Sequence, residues 1–516
     1  MTRPVRLVLM PGNDVLVDAR VMKNLRTAAE LGYDAIGLGI CRGEAVREEV
    51  FDWGGRVVVW PVSSRIESWR RYRPGRFFFD RTSRSTGRAY AAFLRSELGF
   101  VAGREKRDGS RAASTGPGRV DSGGWGRLIG LGRRIHVILV RLWVKARSLR
   151  ADAELRHEGW QPGRLEAWRQ RRFWWLRVTP WRARWRSAVP EAIDRAIVLG
   201  GVLDELAPDI VHVHDVYMMH VAAYYAARVA ETGRKVRLIY DAREFVPGLA
   251  HVPPKRVEAY ARLEAEFMRD FDRVVSVSEP MARAVAKRHR LRRFPDIVMN
   301  APMRDDVADD VPSVRLAAGV QEGVPLVVYS GVVNPARGVG TVLEALALLD
   351  GVHLAVVANN RGPAVLALIE RARRLGLSDR LRFVPFVPHD QVTRYLADAD
   401  VGICPLSHTL NHDLTVTNKF CEYLEAGLPV VTSDTPAQAD LVEELAVGGV
   451  FKADDVADCA RVLGEVLDKR AELSKRIIGD GELQYRFGWA AQSEVLAHVY
   501  AEEALALGLT PPAPLP

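Results

Sequence analysis

Short apolar runs alternate with helix-compatible stretches over the first 300 residues of the chain. Runs that are continuously apolar, short and bounded by turn residues are typical of strands buried on both faces of a parallel sheet. Helical periodicity over 20–31 and 219–231 suits the connections between such strands. The pattern therefore predicts an α/β domain at 1–300. Its predicted strands are 6–10, 57–62, 210–214, 237–241 and 273–278.

The same alternation returns after residue 313 and is more regular there. Each apolar run is followed by a helix-compatible segment, which predicts a second doubly wound sheet in a domain at 314–486. A polar stretch, 301–313, separates the two series and is predicted to be the linker. We expect a last helix at 487–508 to pack back on the first domain. The predicted strands of the second domain are 325–331, 352–359, 381–387, 401–406 and 429–434.

Charge and tryptophan are distributed unevenly along the 516 residues. The chain has 73 Lys and Arg against 64 Asp and Glu, a formal net charge of +9. Residues 65–186 alone carry 30 basic and 10 acidic side chains and nine of the 12 tryptophans, so the rest of the chain is net acidic. We therefore predict that 65–186 is a basic, Trp-rich insertion in the first domain. Its Gly- and Ser-rich middle, 103–126, is predicted to be disordered.

The sequence lacks the signals that are typical of several other classes of protein. The N-terminal apolar run is too short for a secretion signal, and the longest apolar stretch, 135–144, is interrupted by Arg141. The cysteines have no metal-ligand spacing, and no P-loop or Ser-His-Asp order is visible. Asp398 and Asp400 precede a strand as a turn pair rather than a metal site, and His412 is expected to be isolated and solvated. We predict a cytoplasmic protein without a metal, another cofactor or a transmembrane helix.

The stretch TNKFCEYLEAGLPVVTSD, residues 417–434, has the order loop, helix and strand. A helix N-terminus presents free backbone N–H groups and the positive end of the helix dipole, which suit a diphosphate. Lys419 would add a positive charge for the same phosphates, and Glu422 can accept two ribose hydroxyls. The alternative is a plain i, i+3 ion pair between Lys419 and Glu422 on an exposed helix.

This stretch resembles the nucleotide-sugar motif of the retaining group 1 (family 4) GT-B glycosyltransferases, in the form K-F-x-E-Y-x-x-x-G-x-P-V-V. The resemblance implies that Asn418, Lys419 and Glu422 bind a nucleotide sugar. Many relatives have an acidic residue eight positions before this Glu to contact the donor sugar, where this chain has Leu414 next to Asp413. The resemblance also implies the GT-B fold, in which two Rossmann-like domains face a central cleft. In this chain the first domain would contain the basic insertion.

The segment YSGVVNPARGVGTVLEAL, 329–346, is similar to the strand, glycine loop and helix on the phosphate side of these enzymes. Gly331 permits a close approach of the backbone, and Arg337 can neutralise the charge that develops on a leaving diphosphate. Relatives often have a further basic residue where this chain has Val332. An ordinary strand, loop and helix with a surface arginine is the alternative.

The run 383–392 matches the segment by which relatives hold the nucleotide base, largely through backbone groups. The resemblance implies that Phe386 and Val387 lie beside the base.

Segments 211–230 and 239–248 resemble the two βα turns that face the acceptor in the first domain. Many relatives have His where this chain has Arg243, and an arginine cannot act as a base at neutral pH. Arg243 could bind an anionic acceptor or the sugar, while Glu244 or His214 could accept the proton.

The start of the first predicted helix, from residue 18, resembles the first loop and helix of these enzymes. This implies that Asp18 and Arg20 lie at the mouth of the cleft on the acceptor side. A plain capped helix is the alternative.

The basic insertion permits three interpretations. On a helical wheel, 133–150 groups three basic residues and spreads apolar ones over the remaining face, which is typical of a helix that lies on an anionic membrane surface. The segment 171–187 repeats the theme with four tryptophans, among them Trp185. Packing against the first domain is the second interpretation. Nucleic-acid binding is the third, although no recognised nucleic-acid module is present.

Together these features predict a glycosyltransferase, peripheral on the inner face of the cell membrane, that moves a sugar from a nucleoside diphosphate to an acceptor hydroxyl. The resemblance implies that the transfer retains the anomeric configuration. The acceptor would be lipid-linked or a precursor of a cell-surface glycan. A nucleotide-sugar epimerase or hydrolase of the same architecture is one alternative. A non-catalytic protein that binds sugar nucleotides or polyanions is another.

Overall fold

The computed structural model describes residues 3–41, 45–62, 185, 188–189, 191–250, 252–303, 311–358 and 362–512. Of the insertion predicted at 65–186, only Trp185 is described, and most of the predicted linker 301–313 also lies outside the described residues. Among the described helices, none is long and apolar enough to cross a membrane.

The first sheet contains eight strands. In chain order they are β1 (Arg6–Met10), β2 (Asp34–Cys41), β3 (Arg47–Val50), β4 (Arg56–Pro61), β5 (Ile210–Val213), β6 (Arg237–Ala242), β7 (Arg273–Ser276) and β8 (Asp296–Ile297). Their order across the sheet is β3-β4-β2-β1-β5-β6-β7-β8. The central strand β1 pairs in parallel with both β2 and β5, whereas β3 is an antiparallel strand at the edge.

The second sheet contains six strands, all parallel to their neighbours. In chain order they are β9 (Leu326–Ser330), β10 (His353–Val357), β11 (Leu381–Val384), β12 (Val401–Cys404), β13 (Val430–Ser433) and β14 (Gly448–Phe451). Their order across the sheet is β11-β10-β9-β12-β13-β14. Successive residues of β9 alternate between two buried clusters, one on each face of the sheet, which explains why the strand is apolar throughout.

The helices connect these strands. In chain order they are α1 (Ala19–Glu30), α2 (Glu191–Leu206), α3 (Met219–Ala230), α4 (Pro254–Phe267), α5 (Glu279–His289), α6 (Val314–Ala318), α7 (Val339–Ala345), α8 (Pro363–Arg374), α9 (Val392–Leu396), α10 (Asn418–Glu425), α11 (Pro436–Leu445), α12 (Val456–Asp468), α13 (Arg470–Gly479), α14 (Gly481–Phe487) and α15 (Trp489–Ala506). Their ends follow local chemistry: Ser278 caps α5 by accepting a hydrogen bond from Met281 N, and basic residues fill its last turn.

All ten predicted strands are confirmed, whereas β2, β3, β8 and β14 were not predicted. Of these four, β2 lies in the interior of the first sheet. Its sequence, DAIGLGIC, is interrupted by Gly37 and Gly39. Both glycines are required by packing, because a methyl group would lie 2.9 Å from Val15 Cγ1 at Gly37 and 2.8 Å from Val15 N at Gly39. Close packing therefore requires glycines in this strand, and these glycines interrupt the apolar run by which a buried strand is recognised in a sequence.

The described residues form two compact units. The first comprises the described residues within 1–240, 252–273 and 501–516, and the second comprises those within 241–251 and 274–500. In the first unit, Arg237 bridges Asp272 and Glu503, with N–O distances of 2.9 Å and 2.5 Å.

Candidate functional site

A loop of unusual backbone geometry follows β9. Gly331 and Gly338 have φ angles of +129° and +65°, a region that favours glycine. A methyl group on Gly338 would also lie 1.6 Å from the carbonyl oxygen of Pro405. Between them, Asn334 Oδ1 accepts a hydrogen bond of 3.1 Å from the backbone N–H of Arg337. The loop therefore holds the backbone of Arg337 against the loop that follows β12.

Lys419 lies in the first turn of α10 and is only 7% exposed. Its Nζ is 4.5 Å from the centre of the Tyr329 ring, a cation–π contact. A methyl group on Gly331 would lie 3.4 Å from the same Nζ, so this glycine leaves the space beside the ammonium open. Burial, and then the nearby Arg337 cation, lower the pKa of Lys419 to about 8.

Lys419 and Arg337 form a pair of neighbouring cations. Within the described residues, neither side chain makes a salt bridge, although Glu422 attracts Lys419 at longer range. Two neighbouring cations, one of them buried, are unfavourable in free energy unless an anion binds beside them. The N-terminus of α10 adds its dipole at the same place. The arrangement can hold a diphosphate.

Two buried side chains fix α10 against the sheet. The Tyr423 hydroxyl accepts a hydrogen bond of 3.0 Å from Ser330 N and donates one of 3.1 Å to Val328 O. Its ring lies against Gly402, where a methyl group would come within 2.3 Å of ring carbons. At the other end of α10, both the N–H and the hydroxyl of Thr417 donate to Gln438 Oε1. These contacts position Lys419 and were not anticipated from the sequence.

The remaining nucleotide-side predictions have distinct surroundings. Asn418 is exposed at the first residue of α10, and Glu422 is half-buried on the next turn. Phe386 is exposed and stacks edge-to-face on His389. The side chain of Val387 is buried in the core, so only its backbone is available to a base. Their roles stay predictions.

The loop between β12 and α10 carries two histidines. His408 is exposed and bonds Asp413 through Nδ1 at 2.7 Å and Asp434 through Nε2 at 3.1 Å. These two carboxylates raise the pKa of His408. The expectation that His412 is isolated and solvated is wrong, because its ring is half-buried and its Nδ1 lies 2.8 Å from Ser407 O.

Asp398 and Asp400 both accept hydrogen bonds from neighbouring elements of the second unit. Asp400 accepts hydrogen bonds from Arg315, Leu326 N and Arg470 at 2.7–3.0 Å. Asp398 accepts one from the backbone N–H of Arg315. These contacts tie α6, β9 and α13 together.

The acceptor-side candidates Asp18, Arg20 and His214 belong to the other compact unit. Asp18 caps α1 by accepting a hydrogen bond from Val21 N, as in the plain-cap alternative. Arg20 is 2% exposed, and His214 is fully buried with its ring centre 4.2 Å from that of His212.

Arg243 and Glu244 follow β6. Arg243 is half-buried and its backbone N–H donates to Asp241 O, whereas Glu244 is exposed. The structure thus brings Gly331, Arg337 and Lys419 together, and Glu422 lies one turn further along α10. The parts predicted for Arg243 and Glu244 stay predictions.

Trp185 does not face solvent or a membrane. Its side chain is 1% exposed, its Nε1 donates to Glu266 Oε2 at 2.7 Å, and its ring packs edge-to-face on Phe267. The interpretation of Trp185 as part of a membrane-facing set is therefore wrong, and for this residue packing against the first domain applies. The rest of 133–150 and 171–187 lies outside the described residues.

Comparison with known proteins matches both parts of the chain. Residues 313–484 match the family described as "Glycosyl transferases group 1", and residues 130–299 match "Glycosyltransferase Family 4". The second match begins inside the segment predicted as an insertion, so the limits of that insertion stay a prediction.

Curated relatives carry the name D-inositol 3-phosphate glycosyltransferase. That of Nocardia farcinica is 26% identical over 251 residues, which cover 46% of this chain and 54% of the relative. That of Mycolicibacterium smegmatis is 25% identical over 306 residues, which cover 57% and 67%. The chain thus spans about half to two thirds of the length of these relatives.

Among solved structures, sucrose-phosphate synthase from Thermosynechococcus elongatus is similar over 97% of this chain and all of its own. The TM-score is 0.59 at 12% sequence identity, which shows a shared fold. The two parallel α/β sheets and this likeness confirm the predicted GT-B class of two Rossmann-like domains. With a family match on each part, the chain belongs to the group 1 glycosyltransferases of the GT-B fold.

Proposed function

We propose that this protein transfers a sugar from a nucleoside diphosphate sugar to an acceptor hydroxyl, with retention of the anomeric configuration. The observation that carries the proposal is the cation pair Arg337 and Lys419 at the glycine loop. The pair lacks a salt bridge within the described residues, and a diphosphate would supply the missing negative charge. Group 1 membership supports the same reaction class.

In the proposed reaction, the main role of the protein is to stabilise the charge that develops. The bond between the anomeric carbon and the diphosphate oxygen breaks, a bond to the acceptor oxygen forms, and the acceptor hydroxyl loses its proton. Negative charge grows on the departing diphosphate, where Lys419, Arg337 and the N-terminus of α10 lie. Glu422 would hold the ribose, and the exposed Glu244 would accept the proton.

A donor panel tests this proposal. Release of nucleoside diphosphate is measured from UDP-glucose, UDP-N-acetylglucosamine, GDP-mannose and dTDP-glucose, with and without acceptors. Because Arg243 is a cation and the curated relatives are named for an inositol phosphate, the acceptors include inositol 3-phosphate and free inositol. We expect release from one donor to depend on an acceptor, and NMR of the product to show the anomeric configuration of the donor.

Four outcomes would contradict parts of the proposal. Release that is independent of acceptor would indicate a hydrolase, and a changed sugar on intact nucleotide would indicate an epimerase. Nucleotide binding without turnover would indicate a binding protein. Full turnover in folded Lys419→Ala and Arg337→Ala variants would remove the assigned diphosphate site.

We propose further that the acceptor is lipid-linked and that 133–150 docks on an anionic membrane surface. Support comes from the sequence of this segment, in which Arg134, Arg141 and Lys145 share one side of a helical wheel. Charge reversal of these three residues to Glu should reduce co-sedimentation with vesicles that contain phosphatidylglycerol. The variant keeps Trp185, which the core requires. Equal sedimentation of both proteins would remove the membrane proposal.

A further inference from the structure

Ser407 joins the ring of His412 to the loop that carries Arg337. The backbone N–H of Ser407 donates a hydrogen bond of 3.0 Å to the carbonyl of Ala336, the residue directly before Arg337. The carbonyl of Ser407 bonds His412 Nδ1 at 2.8 Å. The hydroxyl of Ser407 donates to Asp454 at 2.8 Å, which fixes the residue on a third side. His412 is therefore held beside the proposed diphosphate site by a backbone connection.

The bond to Ser407 determines which ring nitrogen of His412 carries hydrogen. A carbonyl oxygen only accepts, so Nδ1 must donate, and in the neutral ring the lone pair is then on Nε2. Burial, followed by repulsion from Arg337 and Lys419, lowers the pKa of His412 and keeps the ring neutral. Within the described residues, Nε2 has no hydrogen-bond partner. The ring thus offers a neutral acceptor.

The two residues that follow His412 are less suited to bind a sugar hydroxyl as a neutral acceptor. Leu414 occupies the place of the acidic residue found in relatives, and its side chain is apolar. Its carbonyl accepts a hydrogen bond from the hydroxyl of Ser278. The carboxylate of the neighbouring Asp413 is bound to His408. Within the described residues of 412–414, His412 Nε2 is the neutral side-chain acceptor that has no hydrogen-bond partner.

We propose that His412 binds the donor sugar, by accepting a hydrogen bond from one of its hydroxyls at Nε2. This inference rests on the proposed function, because it assumes a nucleoside diphosphate at Arg337 and Lys419. It gives the chain a neutral acceptor where relatives have a carboxylate. A neutral group also avoids placing a negative charge beside cations that the diphosphate must neutralise.

Binding measurements can separate the sugar contact from the diphosphate contact. The affinities of UDP, GDP and dTDP are measured by calorimetry, together with those of the four sugar nucleotides of the donor panel. In His412→Ala, we expect the affinity for the preferred sugar nucleotide to fall about threefold to tenfold, the range of one neutral hydrogen bond. The affinity for the corresponding nucleoside diphosphate should stay within about twofold. His412→Gln, which retains an acceptor oxygen, should recover part of the loss.

His408→Ala is the matched control, since it alters an exposed histidine of the same loop. It should leave the ratio of the two affinities unchanged. Donor analogues that lack one sugar hydroxyl identify the contact: one of them should bind the wild type and His412→Ala equally. Equal losses for nucleotide and sugar nucleotide in His412→Ala, or no loss for either, would overturn the inference. Failure of the wild type to bind any nucleoside diphosphate would instead overturn the proposed function.

Discussion

Lys419 contributes a positive charge to the site at a cost to the fold. Its pKa falls from 10.5 to about 8, which corresponds to about 3 kcal/mol of unfavourable free energy for the charged form. The cation–π contact with Tyr329 offsets about 1 kcal/mol of this unfavourable free energy. The folded protein therefore retains a destabilising charge at the position where an anionic ligand would relieve it.

Replacement of Lys419 by Met should stabilise the protein by about 1–3 kcal/mol at pH 7, because the buried charge is removed. Since the folded pKa lies below the unfolded one, the unfolded wild type binds more protons between about pH 8 and 10.5, and its stability rises with pH there. The advantage of Lys419→Met should therefore shrink as the pH rises through this window. Urea unfolding at several pH values measures it, with the exposed Lys475→Met as control. A less stable Lys419→Met variant would contradict this view of the site.

The affinity for nucleoside diphosphate should fall as the pH rises above about 8. A bound diphosphate favours the charged amine and raises the pKa of Lys419, so binding takes up a proton between the free and bound pKa values. Calorimetry in buffers of different ionisation enthalpy measures this uptake. Lys419→Arg should bind without it, because its guanidinium stays charged throughout. The same uptake in both proteins would assign the proton to another group.

At the scale of elements, Gly338 connects the loop after β9 to the loop after β12. Its replacement by Ala should destabilise the protein by more than about 3 kcal/mol, because the methyl group would overlap Pro405 O and the backbone is left-handed. Gly319→Ala is a matched control, with a φ of +64° and no atom within 4 Å of its methyl group. It should cost only about 1 kcal/mol, measured by urea unfolding. Similar losses in both variants would show that the overlap relaxes.

The comparison of these elements with the sequence shows what a linear pattern can predict. Buried parallel strands are apolar throughout, so β9 and β12 were visible directly. The exposed edge strand β3, with the sequence REEV, has no apolar signal at all. Gly331 and Lys419 could be predicted because each of them lies within a short sequence motif. The part played by Ser407 depends on backbone contacts between two loops, which no local spacing records.

At the scale of the molecule, the last residues of the chain complete the first compact unit. Arg273 is a buried cation that bonds Glu502, and Arg237 bonds Glu503. A chain that ends at residue 500 should lose about 3–5 kcal/mol, since both arginines lose a carboxylate partner. A chain that ends at residue 508 keeps both pairs and should differ little from the full protein. Equal melting temperatures of the two truncated proteins would refute this role.

The low pKa of the Lys419 amine also makes it distinctive as a nucleophile. Near pH 8 the Lys419 amine is uncharged in about half of the protein molecules, whereas exposed lysines remain almost fully protonated. Because Lys419 is only 7% exposed, a small reagent is needed, and reductive methylation with formaldehyde and a borohydride reductant should modify it ahead of surface lysines. Nucleoside diphosphate should protect it by restoring the proton and covering the amine. One mass-spectrometric peptide containing Lys419 would then report occupancy of the site without any knowledge of the acceptor.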